Sequence, residues 1–402
     1  MKATMKIRMM AAGAACLCAA LSASATEWTY SASGTTYTIT DGQWTLKVGK
    51  LAATDTTLKV TGISGWKDPT STPDKKGVLD LRKPLTVTVN DATATISSVE
   101  VAQSALGWKT NIVEICCDII GAMADSCFAG NANMTNIVIG GTAETLPGLV
   151  VNKCSKLKTA TFGFPNLRKA GNAVGHGILG VNTTSLTPID ISTVAVPGIT
   201  NVCSGAFANS LWRGDLVLTN VMTMGANAFM NAALTNVYVS GSLTNLANQV
   251  FRGTTITNVV FDLPNLESIA IDAFGHTTST ENQQKKIRSV EILSAISDMG
   301  QITNIVRYVS GTAASTGCRV YVSKRQWTKE ARELATYSAD ENPAGYFADK
   351  ATFTGDEKAK IAADPTLART YGILVVGGVR KAFVVDKPSP HDKIQGLMII
   401  IQ

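Results

Sequence analysis

Histidine is almost missing from this chain: there are three in 402 residues, His176, His276 and His391, each far from the others in sequence. Charged side chains make up only 16%. The chain therefore has few groups for acid–base chemistry, and no Lys/Arg block gives it the electrostatic footprint of a nucleic-acid binder. The formal charge is +6, and three of those positives (Lys2, Lys6 and Arg8) stand at the extreme N-terminus. No Gly-x-Ser-x-Gly elbow, His-Glu-x-x-His helix or Walker-type phosphate loop occurs. No pair of cysteines has the spacing of a zinc knuckle, so neither metal nor cofactor is expected. Long apolar runs are lacking too. The run Leu397–Ile401 is five residues, far short of the roughly 20 that span a bilayer, and reads as a last strand.

The first residues read as an export signal. A basic start precedes an apolar run from Met9 to Leu21 and the small-x-small motif Ala23-Ser24-Ala25, after which the mature chain is expected to begin at Thr26. Cys16 and Cys18 leave with that leader. Of the remaining six cysteines, Cys116, Cys117, Cys127, Cys154, Cys203 and Cys318, several lie inside repeat units. They are expected to be mostly free, buried thiols packing as small apolar residues.

The chain does contain an internal repeat. Phe207, Phe229, Phe251 and Phe274 follow one another at intervals of 22, 22 and 23 residues, each with apolar residues at minus 8, minus 5 and minus 1. Those residues are Ile199, Val202 and Ala206; Val221, Met224 and Ala228; Leu243, Leu246 and Val250; and Leu266, Ile269 and Ala273. Earlier copies read Ile120, Met123, Cys127 and Phe128, then Ala143, Leu146, Val150 and Val151, and the frame weakens at Leu167, Ala170 and Val174. A second pattern alternates with this one: apolar, two residues, apolar, one residue, apolar, as in Met134, Ile137 and Ile139 or Leu234, Val237 and Val239. Its last two positions suit a strand with one buried face, while the minus 8, minus 5, minus 1 spacing suits a helical or 3₁₀ turn. A unit this small cannot bury its own apolar face, so neighbouring copies must share one core. Thr-Asn pairs introduce several strands, as at Thr135-Asn136 and Thr235-Asn236. Their asparagines differ in register between units, so no continuous asparagine ladder is expected.

These units resemble the BspA-type leucine-rich repeat of bacterial surface proteins. Met224-Gly225-Ala226-Asn227-Ala228-Phe229 and Leu234-Thr235-Asn236-Val237-Tyr238-Val239 carry the likeness best. The resemblance implies an extracellular recognition or adhesion module and brings no catalytic residues. The expected architecture is an α/β solenoid of leucine-rich repeats, with one short strand and one helical or 3₁₀ turn per unit. The expected division is a signal peptide at 1–25, an N-terminal β-rich cap at 26–110, the repeats at 111–293 and a C-terminal α+β cap or terminal module at 294–402.

In each repeat strand the residue between the last two apolar positions should point away from the core. These are Val138, Thr161, Asp190, Val217, Tyr238, Val260 and Glu291, a candidate row for binding a protein or surface-glycan partner. Several are more apolar than a merely solvated face requires. Two other readings remain. A repeat of this length also fits one coil of a parallel β-helix polysaccharide lyase or hydrolase, though acidic residues are sparse and no carboxylate pair recurs. Trp28, Trp44 and Trp66 also permit a carbohydrate-binding module in the N-terminal region.

Overall fold

The computed structural model describes residues 27–66, 77–172, 198–209, 213–275, 287–292, 299–309, 317–322, 371–376 and 379–385. The export signal, Asp190 and the run Leu397–Ile401 lie outside the described residues. The described fold is mostly β, with a single helix. Its N-terminal strands are β1 (Glu27–Ser33), β2 (Thr36–Thr40), β3 (Trp44–Val48), β4 (Thr57–Trp66), β5 (Val78–Asp80), β6 (Leu85–Val89), β7 (Ala92–Ile96) and β8 (Ser98–Val101). The chain continues through β9 (Glu114–Met123), β10 (Asn136–Gly141), β11 (Thr145–Leu146), β12 (Thr159–Gly163), β13 (Lys169–Ala170), β14 (Asn201–Val202), β15 (Arg213–Val221), β16 (Thr223–Met224) and β17 (Ala233–Gly241). It ends with β18 (Asn245–Leu246), β19 (Asn258–Asp262), β20 (Ser268–Ile269), β21 (Ser289–Ile292), α1 (Met299–Val306), β22 (Arg319–Val322), β23 (Tyr371–Val376) and β24 (Val379–Val385).

The longer repeat strands pair in parallel, each laid beside its own copy. In the first sheet Leu79, Ile115, Ile137 and Ala160 stand in line across β5, β9, β10 and β12, all buried. In a later sheet Leu216, Val237, Val259, Val290 and Val320 do the same across β15, β17, β19, β21 and β22. Alternation along each strand sends these side chains inward, so the core grows by one row per unit. The pairing crosses both ends of the repeat segment read from the sequence. β8 joins β9 on one side, and β22 and β24 prolong the later sheet on the other.

The framed phenylalanines form a continuous stack. Ring centroids lie 5.3 Å apart for Phe207 and Phe229, 5.7 Å for Phe229 and Phe251, and 5.2 Å for Phe251 and Phe274. All four are fully buried.

The expected helical turn is not what the frame forms. Its minus 5 residue sits on a two-residue strand paired to the next unit, as in Ala170 with Val202 and Val202 with Met224. The residues after it take a turn whose backbone donors reach across to the neighbouring copy. The N–H groups at minus 2, 0 and plus 2 of the framed residue donate to the next unit: Gly205 to Ala226, Phe207 to Ala228 and Asn209 to Met230. The same triplet recurs for Asn227, Phe229 and Asn231. Aiming alternate donors the same way requires left-handed backbone at minus 2 and plus 2, where Gly205, Asn227 and Gln249 and then Gly130, Asn209, Asn231 and Gly253 have positive φ. Glycine and asparagine tolerate that conformation best. The spacing imitates a helix, but the hydrogen bonds run between units rather than within one.

One copy of the frame precedes the segment read from sequence. Val101, Ala105 and Leu106 stand 22 residues before Met123, Cys127 and Phe128, and Leu106 N–H donates to the Cys127 carbonyl. At the other end, α1 replaces a repeat. The Gln301 side chain accepts from Ile269 N–H at 2.8 Å, and the Asn304 amide donates to the Ile269 carbonyl at 2.8 Å. Two side chains thus satisfy the edge of β20 that another strand would have paired.

Gly141 and Gly241 mark equivalent bulges, where β10 and β17 shift register against the preceding strand. Gly241 has φ +140, and a Cβ there would run into the Val221 carbonyl oxygen and amide nitrogen. Gly241→Ala is therefore expected to cost about 3 kcal/mol in a urea melt. An unchanged midpoint would show that the bulge is slack.

Candidate partner-binding face

The predicted row is brought together in two described stretches. Val138 sits between Cys116 and Thr161 in the first sheet. In the later sheet Val217, Tyr238, Val260 and Glu291 occupy consecutive strands in direct register and continue to Tyr321. Parallel pairing at about 4.8 Å per strand makes these side chains neighbours. Val217 is the most open at 44% exposure, while Val138, Thr161, Tyr238 and Val260 are half-buried.

Glu291 departs from the expectation: it is 1% exposed. It lies on the outward side of β21, but Val260 and Tyr321 stand against it in the row on either side. A side chain buried to this extent offers nothing to a partner. The accessible part of the row therefore narrows to Val217, Tyr238 and Val260 in this sheet, and to Val138 and Thr161 in the first.

Tyr238 anchors the middle. Its hydroxyl lies 3.3 Å from Asp262 Oδ2, so the ring reaches from β17 across to the next strand. Burial pushes the phenol above its usual range; the Ser240 hydroxyl opposes this, while Asp262 and Glu291 reinforce it. The hydroxyl thus stays protonated and donates to the carboxylate. Two acids flank this phenol, yet Glu291 is enclosed, so an approaching molecule meets only one of them.

Beside the row runs a polar ladder that the sequence reading did not join up. Asn258 Nδ2 donates to Asn236 Oδ1 at 2.6 Å, and Asn236 in turn donates to Asp215. In the first sheet Asn136 Nδ2 donates to Glu114 at 2.8 Å and Thr159 Oγ1 donates to Asn136 Oδ1 at 2.6 Å. The residue in register with Asn236 on β15 is Asp215. Counting back 21 and 22 residues from Asn236 and Asn258 would have found it. The ladder fixes the strands' register, since a one-residue slip would break every rung.

The N-terminal tryptophans serve the interior. Trp28 and Trp44 are 0% and 1% exposed, and Trp44 Nε1 donates to the Val78 carbonyl at 2.8 Å. Trp66 packs partly buried against Trp44, with ring centroids 6.0 Å apart. No sugar can stack on Trp28 or Trp44, which corrects the carbohydrate-binding reading of that trio.

None of the six cysteines among the described residues is in a disulfide; five are buried and Cys203 is partly exposed. Burial pushes the thiols of Cys117, Cys154 and Cys318 up to about 12, so they are uncharged at neutral pH and unreactive. Among the described residues no helix is long and apolar enough to cross a membrane.

Strands stacked on their own copies, joined by an inter-unit turn ladder and a phenylalanine stack, define a β-rich repeat protein with an open sheet face. Residues 181–300 match the BspA type leucine rich repeat region in six copies. The units from 98 to 172 pair in the same way outside that match. Among solved structures the chain is similar to a leucine-rich repeat protein from Bacteroides ovatus, at 14% identity and TM-score 0.40 over 69% of each chain. It is also similar to a leucine rich cell surface protein from Faecalibacterium prausnitzii, at 11% identity and TM-score 0.33, covering 76% of this chain and 91% of that one. A third likeness is to the pneumococcal vaccine antigen PcpA, at 15% identity and TM-score 0.21, covering 72% and 94%. No curated protein matches the chain.

Proposed function

We propose that this is an exported, non-catalytic leucine-rich repeat solenoid that recognises a macromolecular partner at the cell surface. The flanking regions 26–110 and 294–402 act as its caps. The observation that carries the reading is the run Val217, Tyr238 and Val260, three large side chains placed side by side on the outward face of one parallel sheet. Apolar surface of this kind, rimmed by the Asp215–Asn236–Asn258 ladder, is the composition of a recognition patch: an apolar centre with a polar margin. The leader supports export, and the BspA-type repeats support a recognition role. A catalytic role has little to stand on. General acid–base chemistry needs two placed groups that both reach the substrate. Glu291 is enclosed, and Asp262 is engaged by the Tyr238 hydroxyl.

The test is retention of the whole chain on immobilised extracellular-matrix and epithelial-surface preparations, wild type against face variants. Val217→Asp and Tyr238→Ala are each expected to weaken retention by about tenfold or more. Ile271→Asp, an exposed change in a turn away from the strand row, should leave it intact. Equal retention by all three variants, with unchanged circular dichroism, would remove the sheet face from the binding surface.

A further inference from the structure

A second surface lies on the turn side of the repeats, away from the strand row. Trp108, Gly130 and Lys153 occupy the same plus 2 position in three successive units, and all three have left-handed backbone, with φ +60, +74 and +59. A bulky residue rarely adopts that conformation. Here the Trp108 N–H is committed to the Ala129 carbonyl at 2.7 Å, so the turn ladder holds the backbone and projects the indole outward. The ring packs against Gly130, where a Cβ would collide with its six-membered part. The Lys153 ammonium stands over the ring at 5.4 Å from its centre. The side chain remains 58% exposed, the most open large apolar residue described.

The surroundings are polar and of one sign. Segments 104–113, 126–135 and 149–158 stack on one another and contain Lys109, Lys153, Lys156 and Lys158 with no acidic residue. Asp125, just outside them, is occupied by the Gly148 N–H at 2.9 Å and the Asn172 amide at 2.9 Å. Lys156 is held in place, donating to Asn133 Oδ1 at 2.8 Å, and Asn133 donates onward to the Thr110 carbonyl at 2.8 Å. Exposed Thr110, Asn111 and Ser155 supply neutral donors and acceptors beside them.

We propose that this ridge binds an anionic carbohydrate polymer, with the Trp108 indole as the platform for one sugar ring and Lys153 and Lys156 receiving its carboxylate or sulfate groups. The aromatic face attracts the electron-poor C–H face of a pyranose, as it already attracts an ammonium. The lysines give the charge complementarity, and the amides and hydroxyls match sugar hydroxyl groups. An open ridge repeated unit by unit suits a linear chain running across it. A nucleic acid would call for a series of stacking rings along its path, and these three turns offer one.

The experiment is affinity electrophoresis and surface plasmon resonance of the whole chain against heparin and polygalacturonate, with dextran and oligo(dT) as separate arms. Binding to at least one acidic polysaccharide is expected, with no retention by dextran and weaker binding to oligo(dT). Trp108→Ala should weaken that binding by about 30-fold. Trp108→Phe should recover part of the loss, and Lys153→Gln and Lys156→Gln should each weaken it by about threefold with a shallower salt dependence. The lysine variants leave the turn backbone untouched, so they test the surface even if Trp108→Ala perturbs folding. Failure of both acidic polysaccharides to bind overturns the proposal, as does affinity unaffected by Trp108→Ala. Equal or tighter binding to oligo(dT) would make the ridge a general polyanion contact and overturn it equally. The strand-face variants Val217→Asp and Tyr238→Ala should not change this binding, which keeps the test independent of the proposed partner face.

Discussion

Phe229→Ala is expected to lower the stability of the repeat region by about 3–5 kcal/mol, since truncating a fully buried ring leaves a hole the surroundings cannot close. Phe229 lies at the centre of the stack, with Phe207 at 5.3 Å on one side and Phe251 at 5.7 Å on the other, and is 0% exposed. Both neighbours lose a face when it is removed, so the damage passes to the units on either side. Hydrogen exchange should show it directly. The amides of Phe207 and Phe229, which donate to Ala228 and Val250, should lose protection together. A variant that melts like the parent, with those amides still protected, would mean that the stack is not the spine of the repeat.

The second large effect is an alkaline transition. The thiols of Cys117, Cys154 and Cys318 are raised by burial from 9.0 to about 12. A thiol with a higher pKa when folded holds its proton more tightly in the folded state. Its contribution is therefore complete below about pH 9, declines as pH climbs from 9 towards 12, and is gone above that window. Three pKa units correspond to about 4 kcal/mol for each thiol across the whole window. Together the three are comparable with the roughly 5–15 kcal/mol that holds a typical domain folded. The urea midpoint should be flat between pH 7 and 8.5 and fall steeply by pH 10.5. Cys154→Ala should make that fall shallower. A midpoint indifferent to pH over this range would show that these thiols ionise without unfolding. At neutral pH a thiol reagent should reach the partly exposed Cys203 first and the buried five only after denaturant is added.

Much of the repeat was readable because its signal is a spacing. Leu234, Val237 and Val239 alternate as a half-buried strand must, and the 22-residue return of Phe207, Phe229 and Phe251 announces a shared core without reference to any other residue. The β-rich character of 26–110 was legible too, and β1 to β8 fall there. The turn at each phenylalanine was not. Apolar residues at minus 8, minus 5 and minus 1 satisfy a helical period equally well, and only the donors sent from Phe207 to Ala228 and from Phe229 to Val250 distinguish the two. The repeat at Leu106 was missed because its minus 8 position holds Ser98, where the other copies are apolar. Asp215 escaped the ladder because Arg213-Gly214 damages the strand signature ahead of it.

Alternation placed Val217, Tyr238, Val260 and Glu291 on one side of the strands, and the register of the pairs agrees. It could not show that Glu291 is enclosed. Nor could it separate the interior Trp28 and Trp44 from the exposed Trp108, since all three are one residue type in strand-rich sequence.

The sequence alone determined the unit, its length and which residues face inward, because each of these is a property of periodic side-chain chemistry along one strand. Only the tertiary structure decided how the turns bond and which outward residues remain accessible. Hydrogen bonds and strand pairings between copies connect residues 20 or more positions apart, and no local pattern records them.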